Sequence, residues 1–102
     1  MNVKINRNAA KMLKKILDEG DAEGKMIRVF VAQMHGDHAH YDITLDTPGE
    51  QDEIVKTDKG IDILLDSRDP YLDGIWIQYF YVPQEEFVIT NPRIEREHGH
   101  HH

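Results

Sequence analysis

No cysteine occurs anywhere in the 102 residues. Disulfides, zinc–thiolate sites, thiol nucleophiles and four-thiolate iron–sulfur sites are thereby excluded, and any bound metal must be held by nitrogen and oxygen. Positive charge is also short, with 12 Lys and Arg against 19 Asp and Glu and a formal net charge of −7. With no basic stripe expected to interrupt that balance, a phosphate backbone would be repelled and nucleic acid is not an expected partner. Long apolar runs are missing too. Met1-Asn2-Val3-Lys4-Ile5 is too polar and short for a secretion signal, and no later run approaches a membrane span. The expectation is a soluble, cytoplasmic protein with no membrane partner.

What is present is a pattern of short strands around one helix. Val3 and Ile5 alternate with polar neighbours as a brief strand. Asn6 or Asn8 can then cap a helix running to about Glu19, where Ala9, Met12, Leu13, Ile16 and Leu17 form one apolar stripe opposite Lys11, Lys14 and Lys15. Gly20 suits the helix end. The stripe reads as core, because a single helix needs a sheet to lie on. Ile27, Val29 and Val31 alternate with Arg28, Phe30 and Ala32, and Tyr41, Ile43 and Leu45 alternate with His40, Asp42, Thr44 and Asp46.

After a turn at Thr47-Pro48-Gly49-Glu50 come a short strand near Glu53–Lys56, a turn at Asp58-Lys59-Gly60 and a strand from Ile61 to Leu65. The segment 66–72 reads as irregular, and Asp73-Gly74 as a turn rather than a catalytic acid. Ile75–Val82 is the most β-prone run, and Phe87-Val88-Ile89 closes the set before Asn91-Pro92. Alternation assigns half of Trp76, Tyr79, Phe80 and Tyr81 to a core and half to an oligomer interface. The acidic run Glu50-Gln51-Asp52-Glu53 reads as a solvated turn. Six or seven strands and one helix predict a mostly β, α+β domain over residues 1–92, with 93–102 a mobile, histidine-containing tail.

All seven histidines lie in two places: His35, His38 and His40 between two strands, and His98, His100, His101 and His102 at the C-terminus. Neutral imidazole suits divalent first-row metals such as iron or zinc, and Asp37 or Asp42 could add an oxygen ligand. The alternatives for the first group are a solvated hairpin loop or a proton-transfer role. For the second, part of the run has the composition of an affinity tag. A small metalloenzyme of cupin type would want a Glu shortly after His-x-His, where Thr44 and Leu45 stand, so no enzymatic activity is expected.

In order, Asn8-Ala9-Ala10 in the helix, the strand Ile27–Val31, Tyr41 followed by Thr44-Leu45-Asp46, Lys59-Gly60, Tyr71-Leu72-Asp73-Gly74 and Phe87-Val88-Ile89 before Asn91-Pro92 give a chain that resembles the HesB-like, A-type iron–sulfur carrier family over nearly its whole length. The resemblance implies mixed β-sheets folded on one another as a pseudo-barrel or sandwich beside an N-terminal helix. It implies a homodimer or higher oligomer, and iron–sulfur assembly proteins as partners. It also implies a metal site whose cysteines are absent here. Counting back from Tyr41, the family's first cysteine falls on Gly36, flanked by His35 and His38; counting forward from Asn91-Pro92, its Cys-Gly-Cys falls on His98-Gly99-His100. The implied ligand set is therefore His35, His38, His40, His98 and His100, holding iron or another divalent ion such as zinc. A [2Fe–2S] cluster bridged by thiolates is not expected. A cysteine-free member serving protein–protein contact without metal is the competing expectation.

Overall fold

The computed structural model describes residues 1–19 and 22–94. Gly20, the expected helix end, and the tail histidines His98 and His100 lie outside the described residues.

Strand β1 (Val3–Ile5) runs through Asn6 into α1 (Arg7–Asp18). Asn6, not Asn8, is the cap. Its Oδ1 accepts from the Ala9 amide at 2.8 Å, satisfying one of the orphan donors of the first turn. The same oxygen accepts from the Tyr79 amide at 3.3 Å, which joins the helix start to the sheet beside it. Ala9 and Leu13 are fully buried, with Met12, Ile16 and Leu17 packed partly against the same core.

The opposite face corrects one expectation. Arg7, Lys11 and Lys14 are all exposed at spacings of i, i+4 and i+7, so a short basic stripe does interrupt the acidic balance. Like charges so spaced cost a helix about 0.2–0.5 kcal/mol per pair. Arg7 also sits in the first turn, where the helix dipole favours a carboxylate and where no acidic residue stands.

The remaining strands are β2 (Met26–His35), β3 (His38–Asp46), β4 (Asp52–Lys56), β5 (Asp62–Asp66), β6 (Ile75–Phe80) and β7 (Glu86–Thr90). They form a four-stranded sheet in the order β3-β2-β5-β4 and a three-stranded sheet in the order β1-β6-β7. Each sheet is mixed, β1 pairing parallel with β6 and β2 parallel with β5 while the other neighbours are antiparallel. The sheets touch through β3 and β7, and α1 lies against β6 and β2. Ile27, Val29, Ile63, Leu65, Ile75 and Ile77 fill the space between. This is the α+β, mostly β architecture that the strand pattern predicts. Among the described residues no helix is long and apolar enough to cross a membrane.

The acidic run at 50–53 is a solvated turn only in its first half, Glu50 and Gln51 being exposed in the turn while Asp52 and Glu53 belong to β4. Asp52 opens β4 with its side chain only 7% exposed, taking two hydrogen bonds from the guanidinium of Arg28. Arg28 also donates through Nε to Asp46 at 2.8 Å, so one cation ties the end of β3 to the start of β4 across β2 and β5. Glu53 holds the N-terminal ammonium at 2.6 Å. These partners lie far off in sequence, which is why the carboxylates look unpaired there.

The aromatic run divides unevenly. Tyr79 alone is buried, its ring edge-on to Phe87 at 4.9 Å, while Trp76, Phe80 and Tyr81 remain more than a third exposed. Strand β6 stops at Phe80, opposite Glu86, because 81–85 must turn the chain back and Pro83 has no amide to give a ladder.

Candidate functional site

The two longest strands meet in a hairpin whose connection is only Gly36-Asp37, since His35 and His38 are already register partners. Gly36 has φ +62°, and no other residue of the turn has positive φ. Glycine in the first central position with positive φ fits the tight turn that matches the twist of paired strands. A Cβ at Gly36 would meet nothing within 4 Å, so a side chain there is opposed by the backbone and not by space.

Register explains how the three histidines come together. Val31 faces Tyr41, yet Gln33 faces His40, so the pairing slips one residue at Ala32. A bulge of this kind inverts side-chain parity beyond it. Plain alternation from Val29 and Val31 would have carried His35 onto the core face. The slip places it instead on the outer face, with His38 and His40. The rings of His35 and His40 meet edge to face at 4.8 Å between centroids, and those of His38 and His40 at 5.1 Å. All three residues are exposed. As placed, no three His, Asp or Glu side chains among the described residues converge as ligands of one metal ion. His98 and His100 lie outside those residues.

Beside the hairpin tip is a cleft of about 180 Å³, walled by Asp37, His38 and Tyr41 on one side and by Tyr71, Asn91 and Ile94 on the other. Its walls are joined by one hydrogen-bond network. The Tyr41 hydroxyl donates to the Tyr71 carbonyl at 2.7 Å, and Asn91 Nδ2 donates to the same carbonyl at 2.9 Å and to that of Asp73 at 2.8 Å. Arg93 adds bonds to the carbonyls of Asp73 and Pro70. Asn91 is 3% exposed and is the single buried polar residue among those described. In the sequence Asn91-Pro92 shows only as a strand stop; the signal for its further role is an amide side chain before the proline that closes the last strand.

Replacing Asn91 with alanine should remove both amide bonds and lower stability by about 2 kcal/mol. For a domain of this size the melting temperature should fall by about 10 °C. Chemical denaturation checks this, and a change below a few tenths of a kcal/mol would mean that water satisfies the two carbonyls.

The residues thus define a two-sheet α+β domain presenting an exposed imidazole cluster on a hairpin, next to a cleft that the chain's last described turn helps to wall. No protein-family model matches the chain. Over 86 residues it is 34% identical to a protein of Nitrosomonas europaea named an iron–sulfur cluster insertion protein, ErpA, the match taking in 82% of this chain and 71% of that one. The chain belongs to the HesB-like family of A-type iron–sulfur carriers.

Proposed function

We propose that this protein is a non-enzymatic, cytoplasmic metal-binding member of iron–sulfur assembly, carrying a divalent ion such as iron or zinc on imidazole nitrogens. The name of its relative supports the assembly role. The observation that carries the metal reading is the bulge at Ala32, which turns His35 onto the face of His38 and His40 and brings the three rings into contact.

The donor set fits a single divalent ion and does not fit a thiolate-bridged cluster. Exposed imidazoles can rotate about their side-chain torsions, so an ion needs no movement of the backbone to gather them. Ile94 lines the cleft with His38, and His98 follows four residues later, a span of at most about 14 Å of extended chain. That reach supports His98 and His100 as further ligands, with a homodimer able to share them and assembly proteins as partners.

Isothermal titration with Zn(II), and with Fe(II) under anaerobic conditions, tests this on three proteins. The whole chain should bind at a defined stoichiometry. A chain ending at Glu97 should bind about tenfold more weakly or worse, and His38→Ala with His40→Ala should lose the site. Unchanged affinity in the double variant would end the proposal. The exposed side chains of Trp76, Phe80 and Tyr81 support a second reading, a cysteine-free member that works by protein contact alone. No binding by the whole chain would end the metal reading and leave this one standing.

A further inference from the structure

The basic stripe of α1 is one wall of a groove of about 360 Å³ whose other wall is the turn between β4 and β5. Arg7, Lys11 and Lys14 line it from the helix and Lys59 from the turn, over a floor of Ala10 and Ile61. Among the described residues no ion pair reaches the three helix cations, and Lys59 is met only by its exposed neighbour Asp58 at 3.1 Å. Four cations therefore face one small groove on a chain of net charge −7. Their spacing and the position of Arg7 both work against the helix, with no compensating contact inside the fold.

We propose that this groove docks an acidic peptide segment of a partner protein. One apolar side chain of the segment rests on Ala10 and Ile61 while its flanking carboxylates meet Arg7, Lys11, Lys14 and Lys59. From Arg7 to Lys14 the helix advances about 10 Å, the length of about three residues of extended peptide. The site suits a short acidic run with an apolar anchor. A long polyanion suits it poorly, because Asp18 at the far end of the stripe and Asp58 beside Lys59 would oppose a phosphate chain continuing past the groove. The surface is separate from the histidine hairpin, and this inference stands whether or not the protein carries metal.

The test is an amide NMR titration of the whole chain in EDTA with an acetylated peptide of glutamates around one leucine. Saturable shifts are expected at 7–14 and 59–61, with affinity falling about tenfold or more as NaCl rises from about 20 to about 200 mM. Replacing the leucine with serine should weaken binding by about threefold or more. Lys11→Glu with Lys14→Glu should abolish the shifts while leaving the far-ultraviolet circular dichroism unchanged. Should that pair fail to fold, Lys11→Gln with Lys14→Gln should weaken binding by about tenfold. Absent or scattered shifts would overturn the proposal. So would tighter binding at the same residues by a single-stranded oligonucleotide or by phosphatidylserine vesicles. A concentration-dependent dimer lost in the charge variants would assign the groove to a second copy of the chain and overturn it equally.

Discussion

Leu13→Ala is expected to cost the domain about 3–5 kcal/mol. Leu13 is fully buried where α1 meets the sheets, in one cluster with Ile5, Ile27, Ile75 and Ile77. Truncation removes the transfer energy of the lost carbons and leaves a cavity between rigid strands that cannot close around it. Alanine keeps helix propensity intact, so the loss reports packing alone. Against a total of about 5–15 kcal/mol for a domain, such a loss removes a third or more of the margin. Urea unfolding should show a lower midpoint at unchanged slope. A loss under about 1 kcal/mol would mean that α1 is held by its Asn6 cap and not by its apolar face.

The second large effect lies at Arg28. Its guanidinium bonds hold Asp52 below the usual carboxylate range, and Arg28 is itself raised by those bonds. Asp46 is lowered chiefly by the Thr47 amide and then by Arg28. Asp66, directly across the ladder from Asp52, is brought to about 2 chiefly by Arg68. Arg28→Met keeps the stem and removes the charge, leaving the largely covered Asp52 side chain beside other carboxylates without its cation. Breaking a fully buried pair costs about 3–5 kcal/mol, and because Arg28 keeps 17% exposure the expected loss at pH 7 is about 2–3 kcal/mol.

The pH dependence has a definite sign. A carboxylate whose folded value is depressed stabilises the protein above its unfolded value near 3.8, and that stabilisation is lost as pH falls toward about 2. The parent protein should lose thermal stability across that interval. Arg28→Met should lose less, though some, because the Thr47 amide and Arg68 still hold Asp46 and Asp66. Identical acid slopes for the two proteins would show that Arg28 does not govern Asp52.

Local chemistry carries most of what the sequence revealed. The helix was legible because cap, stripe and polar face all fall within one short segment. The alternations at 27–31 and 41–45 assign their burial correctly, because β2 and β3 each need one face in the core. What escaped depends on residues that meet only in space. Asp52 finds Arg28 across the intervening β5, and Asn91 finds carbonyls some twenty residues back. The parallel neighbours of β1 and β2 leave no local trace. At the hairpin, alternation from Tyr41 sets His38 and His40 on one face, but strict alternation cannot show the one-residue slip in β2 that brings His35 to join them. Ala32 gives no warning of it, being neither glycine nor a turn former. Their common face is thus a product of tertiary pairing and could not be counted off from Val31.

The parallel pairing of β1 with β6 sets an order on assembly in the cell. Val3 must wait for Ile75 before it has a neighbour, so β1, made before the other described strands, is among the last of them to find its place. Until then the apolar stripe of α1 lacks β6, the strand it meets most closely, and has only β2 to rest on. The nascent chain must travel with much of that surface uncovered until β6 has been made, a window in which a holding chaperone would find something to grip.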